Sequence, residues 1–243
     1  MKTNITKTLI CLGLIIGAHT ASAQTFKIGG GFGYSKTNLM NGFQKESEFE
    51  SFSDDTETST VKERGILGPR LNLLATIPLG SKAQFETGIQ YTNRGGSVVI
   101  DVDYNDGFES MSIDWESKTR LHYIDLPLNF NIQVYDNEQL KLYTKTGLYG
   151  SFLAFGTMKE DFRVDFGGEV MSESDSYSIT DELDISERFG AGVSAGFGAE
   201  FNGIYAELSY KTGIASIGGA DTDEWSMNHD FGLTVGYNLF GKK

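Results

Sequence analysis

The chain has 243 residues, a formal net charge of −13, 30 glycines, 3 prolines and a single cysteine. That acidic balance argues against holding a phosphate backbone, which needs clustered Lys and Arg, so no nucleic-acid partner is expected. The one cysteine, Cys11, lies in an apolar stretch near the start, and without that stretch disulfides, thiolate catalysis and Cys-based metal sites are excluded.

Residues 1–23 read as a removable signal peptide. Lys2 and Lys7 give a positive start, 9–18 form an apolar core, and Ala21-Ser22-Ala23 supplies a small-residue cleavage site, so the mature chain is expected to begin at Gln24. The apolar run is well short of the roughly 20 residues that a spanning helix needs. Cys11 sits inside this run rather than at its end, which does not fit a lipoprotein. Losing the two lysines takes the formal charge from −13 to −15. Residues 24–243 then fit one all-β domain.

Eight alternating segments follow, at 25–35, 69–79, 83–94, 121–135, 139–153, 188–201, 204–213 and 230–240. The stretch from Ile124 to Val134 shows the pattern, with an apolar residue at every even position and a polar one at nearly every odd position. That is the period-2 signature of a strand with one apolar face. Most segments reach the about 9–11 residues that cross a hydrocarbon layer at a tilt. Gly80-Ser81-Lys82, Asp136-Asn137-Glu138 and Asn202-Gly203 form short turns. Asn202-Gly203 is a strong hairpin signal, because both residues tolerate positive φ. The connections 36–68, 95–120, 154–187 and 214–229 are long, and 25 of the 33 acidic residues fall within 38–65, 95–117, 156–186 and 214–226 inside them. Short turns on one side and long polar loops on the other are typical of bacterial outer-membrane barrels. The predicted fold is therefore an eight-stranded antiparallel transmembrane β-barrel, an up-and-down meander with long extracellular loops and short periplasmic turns, exported to the outer membrane.

The two faces follow from register. Phe32, Leu71, Leu73, Leu126, Phe130, Leu208 and Phe231 belong to the apolar face, expected against outer-membrane lipid. The opposite face carries glycines and the charged set Arg70, Glu86, Arg94, Asp125, Lys145, Glu200, Glu207 and Lys211. A soluble barrel would turn the faces the other way. The glycines fit a narrow interior better than an exposed surface, and the Phe and Tyr content suits lipid contact. Eight strands leave an interior just wide enough for side chains to fill. The four cations are therefore expected to pair with Glu86, Asp125, Glu200 and Glu207, as buried charges require, and to plug the lumen.

Catalytic signals are weak, and no enzyme and no cofactor is expected. After the leader only His122 and His229 remain, with Ser117, Ser226 and Asp230 near them in sequence and nothing resembling a nucleophile elbow. Residues 101–107 (DVDYNDG) look like a calcium loop, but the glycine falls one place late and Ser112 stands where a bidentate Glu belongs. A solvated charge run explains the acidic loops better than weak divalent-cation binding. The loops also carry Phe43, Phe49, Phe52, Tyr104, Phe108, Trp115, Phe162, Phe166, Tyr177 and Trp225. These either grip a partner or pack between strands extended past the membrane, and Val98-Val99-Ile100 and Phe162-Arg163-Val164 look like such extensions.

Several segments resemble the PorT-like family of small outer-membrane barrels common in Bacteroidota. Gly88-Ile89-Gln90-Tyr91-Thr92-Asn93-Arg94-Gly95-Gly96 resembles the family's third strand. Tyr123-Ile124-Asp125-Leu126-Pro127-Leu128 resembles its Tyr-Leu-Glu-Ile-Pro-Leu strand, with Asp125 replacing Glu. Gly147-Leu148-Tyr149-Gly150 and Glu207 to Ile214 resemble the fifth and seventh strands. Gly236-Tyr237-Asn238-Leu239-Phe240 is similar to the closing segment, apart from an extra residue and the trailing Gly241-Lys242-Lys243. The resemblance singles out Tyr123, Asp125 and Pro127, offers no catalytic motif, and implies a structural or secretion-associated role with a protein partner in a secretion or envelope complex. The other role the residues allow is a surface binding or adhesion module using the acidic aromatic loops.

Overall fold

The computed structural model describes residues 25–37, 57–105, 110–137, 139–181, 183–213 and 228–239. The expected leader and the connecting segments 38–56 and 214–227 lie outside the described residues. The strands are β1 (Thr25–Thr37), β2 (Glu57–Pro78), β3 (Ala83–Asn105), β4 (Ser110–Asp136), β5 (Leu140–Phe166), β6 (Glu169–Ser178), β7 (Phe189–Phe201), β8 (Ile204–Gly213) and β9 (Asn228–Asn238). Antiparallel pairing runs in the order β1-β2-β3-β4-β5-β7-β8-β9. β9 returns onto β1, from Lys27 opposite Asn238 to Thr37 opposite Asn228. The ring is closed, so its backbone polar groups are satisfied within the sheet, as hydrocarbon demands.

Burial is inverted relative to a water-soluble protein. Leu71 is 60% exposed, Leu208 60% and Phe231 59%, whereas Glu86 and Asp125 are 0% exposed and Arg70 and Asp230 1%. The polar face is inside and the apolar face outside, which settles the choice between the two registers. On β4 the outward side chains run from Ile124 to Val134. At about 3.4 Å per residue and a tilt near 40°, that stretch gives an apolar band about 25 Å tall. The tight turns close the lower end. Asn202 (φ 50°) and Gly203 (φ 84°) both take the left-handed backbone expected of them. Asn137 Oδ1 accepts from the Gln139 and Leu140 amides at 3.0 and 2.6 Å.

The long connections are less loop-like than their composition suggests. β2 already begins at Glu57, β3 continues through the Gly95-Gly96 step to Asn105, β4 starts at Ser110, and β5 runs on to Phe166. A ninth strand, β6, folds back on β5 from Phe166 opposite Glu169 to Thr157 opposite Ser178. Alternation continues through these extensions, with Val99 an apolar exception on the charged side. Val61, Ile100, Trp115 and Phe162 share one cross-strand row, and Lys62, Val99, Glu116 and Asp161 share the next. A β-branched and aromatic inner face with a charged outer face can hold a sheet together in water. The result is a five-stranded wall, β2 to β6, standing above one side of the barrel.

Candidate functional site

Two regions carry the chemistry: the lumen and the wall. Inside the barrel two ion-pair groups are stacked. In the lower one Lys27 reaches Glu86 at 3.1 Å, Glu86 meets Lys145 at 2.5 Å, and Lys145 also pairs with Glu207. In the upper one Lys211 meets Asp125 at 2.7 Å, Arg94 pairs with Asp125 and lies 3.3 Å from Asp230, and Arg70 pairs with Asp230. Of the charged set read from the sequence, Arg70, Glu86, Arg94, Asp125, Lys145, Glu207 and Lys211 are brought together here. Glu200 is not. Its inward register places it at the lower rim, where its side chain is 20% exposed and lies 4.0 Å from Lys141. Sequence reasoning missed Lys27 and Asp230, although both share the register of the lumen glycines on their own strands, Gly29 and Gly232.

Polar residues and aromatic rings complete the filling. Asp125 also accepts from Ser151 at 2.7 Å and Thr92 at 3.3 Å, which makes it the hub of the upper group. Arg94 lies 4.8 Å from the centre of the Tyr123 ring, and Lys27 lies 4.8 Å from that of Tyr143, so cations face ring quadrupoles. Glycine is required where Arg70 passes: a Cβ at Gly33 or Gly232 would overlap its guanidinium. Pro127 lines a lumen cavity of about 20 Å³ with Asn129, Lys145, Glu207 and Lys211. A space of that size holds about one water. At the upper mouth the segment after β6 turns inward, and Ile179 and Leu183 pack on the buried cluster of Leu121, Tyr123 and Leu153. Arg188 fastens this cap by donating to the Thr180 and Leu183 carbonyls.

Among the described residues neither histidine sits in a hydrolase arrangement, and Ser226 lies outside them. His122 faces outward, 2.6 Å from the Tyr91 hydroxyl through Nδ1 and stacked 3.9 Å from Phe155, while Ser117 on the same strand is buried on the inner side. His229 faces outward too, 2.7 Å from the Tyr210 hydroxyl, while its neighbour Asp230 points into the lumen. Both pairs belong to the aromatic girdle at the upper membrane boundary. Among the described residues no group of three or more His, Asp or Glu side chains could hold a metal. Part of the calcium-loop lookalike, residues 106–109, lies outside them; Asp101 binds Lys62 at 3.2 Å. Above the girdle, Lys159 and Ser174 hydrogen-bond Asp161 and hold its carboxyl below the usual carboxylate range.

A closed eight-stranded ring with an ion-paired interior and a lipid-facing apolar exterior defines an outer-membrane β-barrel protein. The chain belongs to the outer membrane protein beta-barrel domain family, whose model matches residues 22–218. Solved structures similar to it include two outer-membrane proteins. Ail, the attachment invasion locus protein of Yersinia pestis, solved with the heparin analogue sucrose octasulfate, shares 16% identity over 89% of this chain and 99% of that one, with a TM-score of 0.35. The outer membrane protein OprG from Pseudomonas aeruginosa shares 11% identity over 89% of this chain and 94% of that one, also with a TM-score of 0.35. No curated protein matches the chain.

Proposed function

We propose that this protein is a sealed outer-membrane anchor that works by contacting another protein through its extracellular wall, without catalytic turnover. The observation that carries this reading is the free edge of β6. Its ten residues pair with β5 on one side, and no described strand pairs with the other. Such an edge presents a row of backbone donors and acceptors that a second chain can extend. The wall's inner face adds apolar contact area, with Val61 50% exposed, Phe162 42% and Met171 68%. β6 carries Glu169, Glu173 and Asp175 and no basic residue, which favours a basic partner segment and disfavours self-association.

The PorT-like segments make a secretion or envelope complex the setting we favour. A second reading, a surface binding or adhesion module, is supported by a groove of about 440 Å³ on the wall, lined by residues including Val99, Asp114, Glu116, Asp161 and Arg163. Photo-cross-linking from position 171 in intact cells tests the partner reading. A discrete adduct with one envelope protein is the expected outcome. Adducts only with lipid or glycan would favour the adhesion reading, and loss of a measurable activity in His122→Ala or His229→Ala would make the protein an enzyme.

A further inference from the structure

The outer face of the barrel carries cations where the lipid-facing band ends. On β2 Arg64 follows the lipid-facing Leu67, on β4 Arg120 and Lys118 follow His122, and on β5 Lys159 follows Phe155. Arg64, Lys118 and Lys159 fall in one cross-strand row: Arg64 is opposite Ser97, Ser97 opposite Lys118, and Lys118 opposite Lys159. Arg120 lies in the next outward row below, opposite Gly95 and Thr157. The outward rows above are different. There Lys62 is bound to Asp101, and Glu116, Asp161 and Asp114 bring acid to the face.

Two features make the lower cations more than a solvated rim. Lys118 stands directly opposite Lys159, like charges facing each other on a sheet are destabilising, and Asp161, which lies within the field of both, offers one carboxylate to two cations. Lys159 has Asp161 at 2.8 Å, but among the described residues Arg64, Lys118 and Arg120 form no ion pair. The cations also lie just above Tyr91, His122 and Phe155, the girdle that marks the boundary between hydrocarbon and headgroups. In a chain this acidic, such a row placed at headgroup level has a specific counterpart. The geometry points to Arg64, Lys118, Arg120 and Lys159 as a binding site for the phosphate groups of phosphorylated lipid in the outer leaflet. The site uses the outer face of the wall, so it leaves the inner face and the β6 edge free.

The test uses the mature full chain refolded in phosphatidylcholine vesicles doped with diphosphoryl lipid A, then extracted in mild detergent and assayed for lipid A retained per barrel. Each basic side chain near an anionic surface contributes severalfold, so wild type should retain at least about tenfold more than R64Q/K118Q/R120Q/K159Q. A heat-modifiable gel shift checks folding, and K118Q/K159Q serves if the quadruple variant fails to fold. Dephosphorylated lipid A should be retained poorly, and K62Q/R163Q should retain lipid A as wild type does. Undiminished retention in the folded variants, equal retention of dephosphorylated lipid A, or equal loss in K62Q/R163Q would overturn the assignment. Complete displacement by inorganic phosphate at matched phosphate concentration would overturn it too, by revealing a free-ion site.

Discussion

Replacing Asp125 with Asn removes the charge on which the upper lumen converges. Arg94, Lys211, Ser151 and Thr92 all direct donors at this carboxylate, which is 0% exposed. Asn keeps the volume and one acceptor, but leaves Arg70, Arg94 and Lys211 facing Asp230 alone. Removing one partner from a buried ionic group typically costs about 3–5 kcal/mol, because the remaining charge is desolvated and uncompensated. The assay is urea unfolding of the barrel refolded in phosphatidylcholine vesicles, scored by the unboiled gel band. Lys211→Met alone leaves two cations and two carboxylates in the group and should cost about 1 kcal/mol or less, because the remaining pairs stay compensated. In the double variant it removes the cation that Asp125→Asn strands, so about 2 kcal/mol should be recovered as coupling. A shift below about 0.5 kcal/mol for Asp125→Asn, or strict additivity in the double variant, would refute the reasoning, since contacting charges couple by more than that.

Gly232→Ala forces a Cβ into the Arg70 guanidinium and should destabilise the barrel by about 1–3 kcal/mol, read in the same titration. Glu200→Gln breaks only a rim contact with Lys141 and should change stability by less than about 0.5 kcal/mol; a loss matching that of Asp125→Asn would put Glu200 in the network. Planar-bilayer recordings of wild type should show no steady conductance, because the lumen is filled, and regular current steps would contradict that packing.

The barrel was legible because its signals are local and redundant. Alternation from Ile124 to Val134 defined a strand, and Asn202-Gly203 defined the hairpin turn between β7 and β8. Lumen glycines such as Gly33 and Gly192 pointed to the narrow side. Lys27 and Asp230 escaped because each sits near a strand end, where a charge reads as a solvated terminus. Their register with the lumen glycines was the available signal. β6 escaped for a different reason: its Ser and acid content lacks apolar alternation, and it becomes a strand by pairing with β5. Glu200 was misplaced because parity gives the face but not the height along the strand.

In the proposed function the barrel anchors and the wall makes the partner contact. Replacing residues 161–174 with Asn-Gly joins Glu160 to Asp175, which are already cross-strand partners, and so shortens the hairpin without touching the ring. The decisive measurement is partner capture by this variant in outer membranes, with its heat-modifiable shift read in the same sample. A normal shift and loss of the captured protein are the expected outcome. A normal shift with capture undiminished would overturn the proposed function.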